Sequence, residues 1–131
     1  MSAVIFLSVD DVLEIHRRVV ETFGGDAGLR DRGLLESAIA MPRSTFDGTD
    51  LHTGVAEKAA AYHYHLCANH PFVDGNKRVA VTAAELFLMI NGQELPASDD
   101  EIVKLTIGVA SGRLSKAEVV EFFVRMATHL R

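Results

Sequence analysis

The chain has 131 residues, 48% hydrophobic and 24% charged, which suits one soluble globular domain spanning 1–131 and excludes a disordered chain. A formal net charge of −5 argues against direct nucleic-acid binding, and the single cysteine, Cys67, leaves neither a disulfide nor a cysteine-based zinc site. The first residues lack a basic leader, and no run approaches the roughly 18 apolar residues of a membrane span, so a cytoplasmic protein without membrane contact is expected.

Val4–Leu7 is a short apolar run, read as a brief strand. Ser8 followed by Asp11 is a capping-box signal, and Val12, Ile15, Val19 and Val20 mark the apolar face of the helix it opens. Gly24-Gly25 stops that helix. Asp31 is a candidate cap for a second helix through Leu34, Leu35, Ala38 and Ile39, with Pro42 beyond its end. Arg43–Gly54 is polar and glycine-containing, a loop or small flap.

Two helices follow that are apolar nearly all round, Val55–Asn69 and Asn76–Asn91, and helices of that kind belong in the middle of a fold. Asp99–Ala110 predicts a further helix ending at Gly112, and a Ser115/Glu118 capping box opens a last one through Val119, Phe122, Phe123 and Met126. The fold class is therefore all-α, about six helices with a short flap loop or hairpin. Tyr62, Phe46, Phe122 and Phe123 are expected to pack in the core or flap, and Cys67 to be a small buried hydrophobe.

The chemistry concentrates in HPFVDGNKR, residues 70–78, between the two apolar helices. Pro71 pushes His70 away from helical dihedrals, Gly75 permits a left-handed turn, and Asn76 is a favourable helix cap. The turn thus feeds a helix N-terminus, whose unpaired N–H groups and positive dipole suit an anion. Lys77 and Arg78 stand in that first turn, the unfavourable end for cations unless a highly charged anion such as a nucleotide polyphosphate binds there. The bland alternative is a surface ion pair between Asp74 and one of those cations. His70 can serve as a general base and Asp74 as a carboxylate for Mg²⁺, so one turn collects the parts of phosphoryl transfer. Phe72 is expected to face the core. Neither a Walker A loop nor GxGxxG occurs.

These residues resemble the Fic/Doc family. Its Fic branch reads HPFx[D/E]GNGRxxR, and its death-on-curing (Doc) branch has lysine in place of the second glycine. His70, Pro71, Phe72, Asp74, Gly75, Asn76 and Arg78 match, and Lys77 follows the Doc form. Gly28–Gly48 and the stretches AAELFLMINGQEL and LTIGVASGRLS extend the likeness over most of the chain. The resemblance implies His70 as general base, Asp74 as Mg²⁺ ligand, and Gly75, Asn76 and Lys77 as a phosphate nest. It implies Arg78 as a catalytic, phosphate-binding arginine and flap residues Ser44, Thr45, Phe46 and Asp47 as aligners of the target.

Val81 stands where the Fic branch has its second arginine. With Lys77, this favours the Doc-type reaction, phosphate transfer from ATP to a Ser/Thr hydroxyl of a translation factor such as elongation factor Tu, over the Fic-type transfer of AMP. The family's inhibitory [S/T]xxxE[G/N] pattern is not found. Thr53–Glu57 comes closest but is followed by Lys58. Inhibition is therefore expected in trans, from an antitoxin segment. Two competing classes are a metal hydrolase using His65, His70 and Asp74 and a non-catalytic binding module. His63 and His65, two apart on one helix, face different ways and do not easily share an ion.

Overall fold

The computed structural model describes residues 3–130. Six helices form the body: α1 (Val9–Phe23), α2 (Arg32–Ala40), α3 (Val55–Asn69), α4 (Asn76–Ile90), α5 (Asp99–Ala110) and α6 (Lys116–Met126). A 3₁₀ turn, Met41–Arg43, follows α2. The strands are two residues each: β1 (Thr45–Phe46) pairs antiparallel with β2 (Thr49–Asp50), and β3 (Gln93–Glu94) with β4 (Thr128–His129). The all-α class with a small flap hairpin is as the patterns predict; the β3–β4 pairing is an addition.

The helix boundaries follow local chemistry. Ser8 with Asp11, Ser98 with Glu101 and Ser115 with Glu118 form reciprocal capping boxes, and Asp31 caps α2 through Leu34 N–H. Thr53 and Glu57, the near-match to the inhibitory pattern, close the entry to α3: Thr53 N–H and Oγ1 both donate to the Glu57 carboxylate.

The two apolar helices form the centre. α3 packs on α4 and is surrounded by α2, α5 and α6, while α1 and α5 flank α4. Ala59, Ala60 and Ala61 of α3 and Ala80, Ala83 and Ala84 of α4 are fully buried; small residues let helix axes approach closely. Tyr62, Leu66, Phe87 and Leu88 fill the space around them. α3 also carries a buried cation, Lys58, whose Nζ donates to His52 O and pairs with Asp50 at 3.3 Å, beneath the hairpin.

Val4–Leu7 forms no strand. Side chains satisfy its backbone instead: Leu7 N–H donates to the Tyr62 hydroxyl, which donates back to Leu7 O, and Asn91 bonds both Ile5 N–H and Ile5 O. The hydrophobic run reflects packing of Leu7, and in part of Val4 and Phe6, on the core, and had no neighbouring strand to pair with. Phe46 likewise does not pack in the core or flap. It is 76% exposed on the hairpin, beside an Asp47-Gly48 turn whose positive φ angles (52° and 79°) match the twist of a two-residue loop.

His63 is buried and neutral. The Thr106 hydroxyl donates to Ile102 O at 2.7 Å, so it accepts from His63 Nε2–H at 2.9 Å. Burial pushes His63 down to about 4. An unfolded histidine titrates near 6.5, so between these values the unfolded chain binds the extra proton. Stability is full above about pH 6.5 and falls by about 3 kcal/mol as the pH drops through 4. The expected result is a lower melting temperature at pH 4.5 than at pH 7, with a shallower slope in a His63→Gln protein.

Candidate active site

The 70–78 segment joins the C-terminus of α3 to the N-terminus of α4. His70 caps α3 in the left-handed conformation (φ 47°, ψ 56°), a strained setting for a non-glycine residue. Arg30, from the α1–α2 loop, holds it there. Its Nε donates to His70 O at 2.6 Å and its Nη2 to Asn69 O at 2.8 Å, so the guanidinium satisfies carbonyls at the helix end and complements the dipole. Pro71 O then accepts from Arg30 N–H and Asp31 N–H, and Val73 N–H donates to Gly28 O. Leu29 and Phe72 pair across this contact as an isolated antiparallel bridge. The motif loop is thereby laid against residues 28–31.

Phe72 faces the core, as expected, 1% exposed. Its ring stacks on His16 at 3.8 Å between centroids, with 7° between planes. His16 Nε2–H donates to Asp74 O at 2.9 Å, and the ring lies against Gly75. Gly75 itself is left-handed (φ 86°) and is the N-cap of α4.

Asn76 is therefore not the cap. Its buried side chain reaches backward: Oδ1 accepts from Phe72 N–H at 3.0 Å and Nδ2 donates to Phe72 O at 2.9 Å. With its side chain turned back to Phe72, Asn76 offers its backbone N–H to an anion. The cap reading followed residue preference, but a glycine already occupied the position that needs a positive φ.

The start of α4 differs from the other helix starts. Among the described residues it alone has neither a capping side chain nor an acidic residue in its first turn. Its first helical hydrogen bond is Val79 N–H to Gly75 O, leaving the N–H groups of Asn76, Lys77 and Arg78 without intrahelical partners. A cavity of about 390 Å³ opens over this mouth, lined by Asp74, Gly75, Asn76, Lys77 and Arg78 together with Gly24 and Gly25. Gly25 has φ 110°, and a side chain there would meet Asp74 Cβ at 3.2 Å.

Among the described residues, Asp74 pairs with neither Lys77 nor Arg78. Its Oδ2 accepts from Asp26 N–H at 2.8 Å instead. The bland ion-pair reading is not what the turn adopts. Arg78 lies over the Phe23 ring, its Cζ 3.7 Å from the centroid. The exposed His70 ring does not line this cavity, nor do Ser44, Thr45, Phe46 and Asp47, which the structure places on or before the hairpin.

The other histidines are accounted for separately. His65 is half-buried and pushed down to about 4 by burial, with Lys116 and His52 acting in the same direction. Among the described residues no three His, Cys, Asp or Glu side chains form a group able to hold a metal, so His65, His70 and Asp74 do not assemble one. Burial pushes the Cys67 thiol up to about 11, opposed by nearby Lys77, which leaves it inert. Arg30, His16, Asp26 and Phe23 escaped the sequence reading. Each lies at least 48 residues from the motif residue it touches or holds, except Arg30 at 40 and 39, and none carries a local signal.

Comparison with known proteins bears on this arrangement directly. The model of the Fic/DOC family matches residues 6–88, from before α1 to near the end of α4, and so includes both halves of the clamp just described.

The chain belongs to the Fic/Doc family.

A protein named Toxin Doc, from Mycolicibacterium smegmatis, is 49% identical over 78 residues, which is 60% of each chain. Protein kinase doc of Escherichia phage P1 is 30% identical over 120 residues, 92% of this chain and 94% of that protein. Protein adenylyltransferase fic-1 of Caenorhabditis briggsae is 31% identical over 105 residues, 66% of this chain but 20% of that one. Fic/Doc relatives named for two different transfers therefore resemble this chain, the kinase along nearly its whole length. No helix among the described residues is long and apolar enough to cross a membrane.

Proposed function

We propose that this Fic/Doc chain is a Doc-type toxin that moves a phosphate from ATP to a Ser/Thr hydroxyl of a translation factor of the elongation factor Tu kind. The carrying observation is the open, uncapped mouth of α4, where, among the described residues, Lys77 and Arg78 face no acidic partner and Asp74 faces no basic one. A polyphosphate supplies the missing negative charge, and the Asn76, Lys77 and Arg78 N–H groups supply donors. The resemblance to the phage protein named a kinase supports phosphate transfer, as does lysine at position 77 with valine at 81.

The residues fit a divalent ion. Asp74 is exposed, its Oδ2 is engaged by Asp26 N–H, and Oδ1 remains for Mg²⁺, a hard cation that keeps water and phosphate oxygens in its shell. Bound there, Mg²⁺ would neutralise charge on the phosphate oxygens. Arg78 and Lys77 hold the phosphates, His70 takes the proton from the target hydroxyl, and Arg30 fixes the peptide that carries His70. Ser44, Thr45, Phe46 and Asp47 form the flap against which the target segment lies.

Control in trans by an antitoxin completes the proposal. A groove of about 820 Å³ runs between α1 and α4, lined by Ile15, Val19, Phe23, Leu86, Met89 and Leu95, and meets the mouth at Val19 and Phe23. An amphipathic antitoxin helix suits it.

Intact-mass spectrometry of elongation factor Tu incubated with the protein, ATP and Mg²⁺ tests the reaction. A phosphate increment that disappears in Arg78→Ala is the expected result. An AMP increment would replace the kinase reading by the adenylyltransferase one, and no increment on any translation factor would remove the target.

A further inference from the structure

Phe23 is the last residue of α1 and is 58% exposed. One face of that ring is covered by the Arg78 guanidinium at 3.7 Å, a close cation–π stack. Phe23 also walls the mouth cavity beside Gly24 and Gly25. Arg78 makes no ion pair among the described residues, and its neighbours repel it: Lys77 adjoins it and the helix end is positive. A free arginine in that field would spread over many rotamers and lose that freedom when an anion binds.

We propose that Phe23 is a positioning residue that holds the Arg78 guanidinium face-on at the α4 mouth, ready for a phosphate. The inference rests on the anion-site reading above. A stack occupies only the guanidinium face, while its five N–H donors lie in the plane and stay available to phosphate oxygens. The ring thus orders the cation without competing for its donors. An aromatic face is required; equal apolar bulk does not substitute for the ring quadrupole.

The test is calorimetric titration of the full chain with inorganic tripolyphosphate in the presence of Mg²⁺. Phe23→Leu keeps bulk but removes the π face, and is expected to weaken binding about fivefold. Phe23→Tyr keeps the face and is expected to bind as the wild type does. In an Arg78→Ala background, Phe23→Leu is expected to cause no further loss, which a merely structural role for the ring would not produce. Melting temperatures of both Phe23 variants are expected to match the wild type, given the residue's exposure. Unchanged binding by Phe23→Leu, or a loss that persists in the Arg78→Ala background, overturns the positioning role. Wild-type binding by Arg78→Ala alone instead overturns the anion site itself.

Discussion

A His70→Asn protein is expected to fold and bind nucleotide as the wild type does, yet transfer phosphate about 10²- to 10⁴-fold more slowly, the usual range for a lost general base. The His70 side chain is exposed and buries nothing in the core, so its removal leaves the packing of α3 untouched. Asparagine suits the backbone better than alanine, because φ is 47° there and asparagine is among the few side chains that tolerate the left-handed region. The Arg30 guanidinium bonds backbone carbonyls, those of His70 and Asn69, so its clamp survives the substitution. Single-turnover transfer to the acceptor protein measures the chemical step, and tripolyphosphate titration measures the mouth separately. Transfer within tenfold of wild type would show that another group takes the proton, and the assignment of His70 would be lost.

Asn76→Ala is expected to cost about 2–6 kcal/mol of folding stability, a large share of the roughly 5–15 kcal/mol typical of a domain. Phe72 is buried with its backbone inside the turn, and the Asn76 amide is the hydrogen-bond partner of both its N–H and its C=O. Truncation leaves one donor and one acceptor buried without partners, each at a penalty of about 1–3 kcal/mol. Asn76→Asp separates the two, since a carboxylate still accepts from Phe72 N–H but cannot donate to Phe72 O. Urea unfolding should rank wild type above Asn76→Asp and Asn76→Asp above Asn76→Ala. A midpoint unchanged in Asn76→Ala would show that water replaces the amide and that the turn does not depend on it. The same variants are expected to lose anion binding, because the Phe72–Gly75 turn sets where the first N–H groups of α4 point.

The parts of this fold legible in the sequence were those whose cause is local. The serine and acidic residues of the caps sit three positions apart and act within one turn, so Ser8/Asp11 and Ser115/Glu118 predicted their helices correctly. The unbroken apolar runs of α3 and α4 marked the centre of the bundle, because a helix without a polar face has nowhere else to lie. Gly75 announced the left-handed turn, and Phe72 announced its anchor. The motif residues Asp74 to Arg78 share one open mouth for the same reason, since five consecutive residues on a turn and a first helical turn cannot stray far from one another.

The sequence alone thus determined the helices, the central pair and the presence of a charged helix mouth, since dihedral preference, capping and periodicity act over a few residues. Only the tertiary structure decided what steadies that mouth: Arg30 on the His70 peptide, His16 beneath Phe72 and on Asp74 O, Asp26 N–H on the Asp74 carboxylate, and Phe23 under Arg78. It also decided that Asn76 turns back to Phe72 instead of capping, and that Val4–Leu7 is pinned by Tyr62 and Asn91 instead of a strand. The contacts of Arg30, His16, Asp26 and Phe23 join segments that meet only when α1 and its following loop pack against the α3–α4 junction, and packing between distant segments leaves no period or spacing in either one to read.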